Sequence, residues 1–270
     1  MATERVVMLP GGLALADGPV LRRATLRELT GREEEWLAAS AGAPAAPLTS
    51  RLLAACLLDL DGAAGGLELA RRLLVGDRDF LVLELRRLTF GPRVAAVLGC
   101  PACAARMDVD FDLDAVPVEP RPQTPVFDAP VEQQRGPPLP VRFRLPTGAD
   151  QEAVLGLAPA AAAAALLERC LLEQPPGGLA PEQQDMVGDV MERVAPRVEI
   201  ELDLGCPECG AAFEAPFDLT AFFYAELRAT SRLLLREIHS LALYYHWSEA
   251  EILGLTRAKR RAYLALLGEG

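Results

Sequence analysis

Histidine is nearly missing from this chain, with only His239 and His246 in 270 residues. That scarcity removes most of the imidazole chemistry on which acid–base catalysis and mixed-ligand metal sites depend. Net positive charge is missing too, with 38 acidic against 27 basic side chains and a balance of −11. Proteins that neutralise nucleic-acid phosphates carry a basic face, so nucleic acid is a poor main partner here, even though Arg257 to Arg261 forms a local basic patch. No window of about 18 residues is free of charge, which excludes a spanning helix. The most apolar long segment, Ala221 to Tyr245, is broken by Glu226, Arg228, Arg232, Arg236 and Glu237. The opening residues, with Glu4 and Arg5, lack the basic-then-apolar order of an export signal, so a cytoplasmic, reducing setting is expected. Phosphate-loop glycines, a Gly-x-Ser-x-Gly elbow and His-Glu-x-x-His are absent as well. Nothing in the sequence supplies an enzymatic mechanism, and a non-enzymatic role is expected.

What is present is a core-forming composition, 51% hydrophobic and rich in Ala and Leu. Short β-like stretches at Val6 to Leu9 and Val20-Leu21 precede Thr30-Gly31-Arg32-Glu33, a capping box that opens an acidic helix through Trp36 and Leu37. Thr49 or Ser50 is expected to cap a helix through Leu57 that closes near Asp61-Gly62. Further helices are expected over Leu67 to Leu74 and Asp77 to Phe90, the latter stopped by Gly91-Pro92. A stretch with eight prolines, Pro117 to Pro140, reads as an extended linker, followed by a strand at Val141 to Leu145 and a turn at Thr147 to Asp150. Helices then flank Pro175 to Gly178, Val198 to Leu204 alternates as a strand, and Thr220 to Leu267 is helical with a break at Trp247-Ser248.

The most informative feature is a duplication. Leu98-Gly99-Cys100-Pro101-Ala102-Cys103 is followed by Phe111-Asp112-Leu113, and Leu204-Gly205-Cys206-Pro207-Glu208-Cys209 by Phe217-Asp218-Leu219. The first Cys lies eleven residues before the Phe in both copies. Each copy sits between strand-like segments, so each reads as a hairpin with a thiol pair at its tip. Two residues between cysteines let both sulfurs face one ion while the backbone turns. Cys100, Cys103, Cys206 and Cys209 are therefore expected to hold one structural Zn2+, with four thiolates leaving no open position for catalysis. A reduced, empty set and a redox pair are the alternatives; a redox pair belongs at a helix N-terminus rather than between strands. The 102 residues separating Cys103 from Cys206 imply an inserted subdomain.

Cys56 and Cys170 lie among Leu and Ala at helical spacing and read as buried inert thiols; the two histidines read as packing residues. The tail is the best interaction candidate. Its apolar face runs from Leu233 to Tyr245, Ser248 and Glu251 form a second capping box, and Arg257, Lys259, Arg260 and Arg261 make a basic cluster. Trp247, Glu251, Arg257, Arg260 and Arg261 are the residues expected to meet a partner, against the plainer reading of a helical hairpin packed on the core.

Several stretches together resemble a known family. They are Leu26 to Glu35, Leu74 to Leu83, the two Cys-Pro-x-Cys knuckles, Leu145 to Asp150 and Tyr245 to Leu253. In combination they look like the T-even-type phage baseplate hub or hub-assembly family and its relatives in extracellular contractile injection systems. The resemblance implies a chain that binds baseplate, tube or hub proteins of a contractile tail; it carries over no catalytic residue. A tail-assembly chaperone and a zinc-ribbon regulatory or nucleic-acid-binding protein are the alternatives. The expected fold is α+β: a mainly helical region over residues 1–92, a zinc-ribbon core over 93–219 with residues 115–197 inserted, and a helical extension over 220–270.

Overall fold

A computed structural model describes residues 4–15, 18–121, 124–131, 139–173 and 178–268. The chain mixes helices with antiparallel sheet, as the α+β expectation has it. It opens with β1 (Glu4–Ala14) and β2 (Val20–Arg27), followed by α1 (Gly31–Ala39), α2 (Ala45–Cys56), β3 (Leu57–Leu60), β4 (Ala63–Ala64), α3 (Leu67–Arg72) and α4 (Val75–Phe90). The four strands form one sheet in the order β1-β2-β3-β4. Val7 and Leu9 of β1 and Ala24 and Leu26 of β2 turn inward on Leu52 and Leu53 of α2, Leu81 and Leu85 of α4, and Phe223 from the C-terminal region. A bulge between Met8 and Leu13 interrupts the β1–β2 register. There the amides of Gly11 and Gly12 donate to the two carboxylate oxygens of the buried Asp77, at 2.7 and 2.8 Å. Gly12 holds φ +86, and a Cβ would lie 2.7 Å from side chains of Val20 and Arg22, so this turn requires glycine.

Next come β5 (Arg93–Gly99), β6 (Arg106–Asp112), β7 (Val118–Glu119), β8 (Phe127–Val131), β9 (Leu139–Phe143), α5 (Gly148–Ala153), α6 (Pro159–Cys170), α7 (Pro181–Val194) and β10 (Arg197–Val198). The last elements are β11 (Glu201–Gly205), β12 (Ala212–Pro216), α8 (Leu219–Tyr245), α9 (Glu249–Leu253) and α10 (Arg257–Gly268). Strands β8 and β9 pair and bury Ala129, Val131, Val141 and Phe143 against Val187 and Met191 of α7 and Cys170 at the end of α6, a second core. β7 pairs with β10, so the chain leaves the cysteine hairpins and returns to them at one place.

Three local readings change. Helix α2 begins at Ala45 after Pro44, and Thr49 and Ser50 are buried inside it rather than capping it. Its end at Cys56 runs straight into β3; Asp61-Gly62, at positive φ, is the turn from β3 to β4. The proline-rich stretch contains β7 and β8, while residues 122–123 and 132–138 of it lie outside the described residues.

The structure also contains a second duplication, which sequence reading missed. At the end of β2, Arg27 forks onto Glu33, whose carboxylate accepts the Thr30 amide (2.8 Å) and hydroxyl (2.7 Å). After β9, Arg144 forks onto Asp150, which accepts the Thr147 amide (3.0 Å) and hydroxyl (2.8 Å). In both, the next glycine donates its amide to a leucine carbonyl in a helix–link–helix segment: Gly31 to Leu255 before α10, at 3.1 Å, and Gly148 to Leu73 before α4, at 3.0 Å. Five residues past each leucine stands a buried arginine, Arg260 or Arg78. The shared signature is Arg-x-x-Thr-Gly-x-acid. Thus α9–α10 clasps the first strand–helix joint as α3–α4 clasps the second.

Candidate metal centre

Each Cys-Pro-x-Cys pair occupies the tip of a two-stranded hairpin, β5–β6 or β11–β12. The two tips close with the same hydrogen bonds. Cys100 donates its amide to the Ala105 carbonyl at 2.8 Å and accepts from the Ala104 amide at 2.8 Å. Cys206 does the same with Ala211 and Gly210, both at 2.9 Å. The residue after the second cysteine must be left-handed, at φ +60 for Ala104 and +74 for Gly210. Glycine accepts that conformation freely, whereas alanine takes it at about 1–2 kcal/mol.

The hairpins face each other so that first and second cysteines cross-pair. Cys100 Sγ lies 3.8 Å from Cys209 Sγ, and Cys103 Sγ lies 3.7 Å from Cys206 Sγ. All four sulfurs fall within 4.8 Å of one another. These separations are far beyond a disulfide bond of about 2.05 Å, and the thiols are free. A tetrahedron with metal–sulfur bonds of about 2.3 Å has edges of about 3.8 Å. The donor set therefore fits a single soft tetrahedral cation. Cys100 and Cys206 are buried and Cys103 and Cys209 exposed, the same way round in each copy.

The reciprocal pairing is that of a local two-fold, and it extends inward. Met107 and Val109 of one hairpin and Leu204 and Phe213 of the other shelter the sulfurs. Deeper, the duplicated Phe111 and Phe217 meet edge to face at 5.0 Å, with Phe222 of α8 5.1 Å from Phe217. Val94 and Ile200 then tie the pair of hairpins to Leu83 of α4 and Leu219 of α8.

The backbone amides of Cys209 and Glu208, aided by neighbouring sulfurs, lower Cys206 to about 7. The Ala105 amide pulls Cys103 down, but the Cys209, Cys100 and Cys206 sulfurs outweigh it and push it up to about 12. A metal ion bound by these sulfurs displaces their protons. Cys56 and Cys170 are the contrast: both are buried, and desolvation raises them to about 12 and about 11. They behave as the inert core thiols expected.

The five tail residues expected to meet a partner are placed differently from one another. Arg260 is fully buried, with Nη2 2.7 Å from Glu34 and Nε 2.8 Å from Glu237. Arg257 is also buried, 3.4 Å from Glu34 and stacked over the Phe90 ring at 4.8 Å. Both turn inward because Glu34 and Glu237 need buried counter-charges, so the basic cluster is not a single exposed patch. Trp247 is half-buried between Tyr245, stacked at 4.9 Å, and Tyr263, edge-on at 4.8 Å. Glu251 is exposed and accepts the Ser248 amide and hydroxyl at 2.8 and 2.6 Å, the capping box expected there. Arg261 remains outside, 58% exposed. His239 and His246 are both exposed on or beside α8, away from the cysteine cluster.

Against known families, a model described as "T4 bacteriophage base plate protein" matches residues 16–173. The match takes in both Arg-x-x-Thr-Gly joints and the first cysteine pair but stops short of the second. No curated protein and no solved structure matches the chain. No described helix is long and apolar enough to cross a membrane.

Proposed function

The chain belongs to the T4 bacteriophage base plate protein family, and from that membership we propose that it is a structural or assembly component of a contractile, phage-tail-like baseplate. It acts through protein–protein contacts with other tail proteins rather than by catalysis. The family match over residues 16–173 is the observation that carries this reading. The four cysteines are the one side-chain cluster with metal-binding geometry among the described residues, and a closed four-thiolate site suits a structural role.

In this reading Cys100, Cys103, Cys206 and Cys209 hold one Zn2+ as a structural staple. Cross-paired sulfurs at 3.8 and 3.7 Å support a closed tetrahedron, which leaves no position for substrate or water. The ion joins two cysteine pairs separated by 102 residues and so fixes where the intervening chain begins and ends. We divide the chain accordingly into residues 1–92, 93–219 with 115–197 inserted, and 220–270, a division that the β7–β10 pairing supports. The exposed Arg261 and Glu251 and the half-buried Trp247 remain the candidates for partner contact there. The protein is made in the cytoplasm and enters the particle.

Mass spectrometry of purified particles, combined with deletion of the gene, tests this. The expected result is the chain present with the base plate proteins and no complete particles in the deletion. Complete, functional particles made without the chain would overturn the proposal, and particles that need the chain yet lack it would turn it into an assembly chaperone.

A further inference from the structure

A cavity of roughly 290 Å³ lies between the Gly11-Gly12 bulge of β1 and the Thr147 joint that opens α5. Its walls have two characters. The floor is apolar, made by Leu74, Phe127, Leu145 and Pro196 among others. Four arginines, Arg71, Arg72, Arg121 and Arg144, also line it, and among the described residues no acidic side chain does. In a chain with 38 acidic and 27 basic residues four arginines on one cavity wall stand out, even though Asp150, Glu152 and Glu119 pair with Arg144, Arg71 and Arg121 from outside the lining.

Three of these arginines are held in place from behind. Arg144 is forked on Asp150, Arg71 Nε donates to Glu152 at 2.8 Å, and Arg121 Nε donates to the Ala195 carbonyl at 3.1 Å. Each keeps a guanidinium nitrogen outside these bonds: Arg144 Nε, Arg71 Nη2 and Arg121 Nη1. Arg72 is exposed. The nearest carboxylate behind the bulge, Asp77, is buried and already satisfied by the Gly11 and Gly12 amides. Oriented guanidiniums around an apolar floor suit a carboxylate attached to an apolar group.

We propose that this cavity receives the C-terminal end of a partner polypeptide, the last side chain on the apolar floor and the terminal carboxylate on the arginines. The choice of a protein end rests on the reading that this chain works through contacts with tail proteins. The apolar floor sets it apart from a plain phosphate site, which has no use for Phe127 and Leu145.

Fluorescence anisotropy on the full chain tests it, with an N-terminally labelled hexapeptide ending in Ser-Leu-Phe as the probe. The free-acid peptide is expected to bind saturably, and its C-terminal amide about tenfold more weakly or worse, from loss of charge-assisted hydrogen bonds. A peptide ending in Gly should lose a comparable factor. Arg72→Glu should weaken the free acid by at least about tenfold, whereas Arg232→Glu, a reversal on the exposed face of α8, should not. No saturable binding, equal binding of acid and amide, equal binding of the Gly-ended peptide, or displacement by inorganic phosphate at equal concentration would each overturn the proposal. Such failure would leave the baseplate reading standing, because that is decided by the chain's presence and need in particles.

Discussion

Replacing Gly148 by alanine probes the duplicated joint where its tolerance is least. An added Cβ would lie 2.0 Å from Arg78 Nη1 and 2.5 Å from its Cζ, so the guanidinium has to move. Arg78 is 1% exposed and donates to Ser50 Oγ (2.8 Å), the Ala70 carbonyl (2.9 Å) and the Ala46 carbonyl (2.7 Å). Bonds from a charged donor are worth about 1.5–3 kcal/mol each. Losing one or two, against at most about 1 kcal/mol gained from alanine's helix propensity, gives a net cost of about 3 kcal/mol. At the equivalent Gly31 the new methyl would meet Arg260 Nη1 at 3.1 Å and Leu253 Cδ2 at 3.0 Å. The Leu253 Cα lies at 3.1 Å as well, and a shift of a few tenths of an ångström relieves these contacts at a cost of about 1 kcal/mol, the low end for overpacking. Thermal denaturation should show Gly148→Ala lowering Tm by about 6–10 °C and Gly31→Ala by only a few degrees. Arg78→Met clears the space, so the double variant with Gly148→Ala should be about 2 kcal/mol more stable than the two single costs added together. Equal effects at the two glycines, or an additive cycle within about 0.5 kcal/mol, would refute the reasoning.

Two further outcomes follow from the buried ion pairs. Arg260→Ala removes the short ion pairs of Glu34, 3% exposed, and Glu237, leaving Glu34 only the longer Arg257 contact, at a cost of about 3 kcal/mol; hydrogen exchange should accelerate in α9–α10 while β1–β2 stay protected, and uniform acceleration would contradict the clasp. Burial alone would raise the Asp150 carboxyl, but the Arg144 fork and the Thr147 amide and hydroxyl outweigh it and hold it well below the usual carboxylate range. A depressed carboxyl contributes stability that is present above its unfolded value of about 3.9 and is lost as pH falls below it. Tm should therefore drop on acidification below about pH 4, and Asp150→Asn should flatten that drop; an unchanged slope in the variant would count against it.

Local sequence carried some features and not others. The cysteine knuckles were legible because the spacing within a hairpin tip is dictated by neighbouring residues, and the eleven-residue interval to Phe111 and Phe217 carries through to their contact in the structure. The Thr30 and Ser248 capping boxes were legible for the same reason. Strand β3 was not, since Leu57-Leu58-Asp59-Leu60 continues the apolar texture of α2 and becomes a strand only by pairing with β2. The inward turn of Arg257 and Arg260 was equally hidden. Their main acidic partner, Glu34, stands more than 220 residues earlier in a run of three glutamates that reads as a solvated face. The repeated joint did leave a trace, Arg27 to Glu33 and Arg144 to Asp150. Its halves look unlike because one acid is Glu and the other Asp, and because the clasping segments come from opposite ends of the chain.

Metal analysis joined to X-ray absorption on the purified chain tests the central claim most directly. The account predicts one zinc per chain, with a single shell of four sulfurs at about 2.3 Å, reduced to well under one by Cys103→Ser or Cys209→Ser. Well under one zinc in the native chain, a shell containing nitrogen or oxygen, or S–S bonds within the cysteine pairs would contradict it.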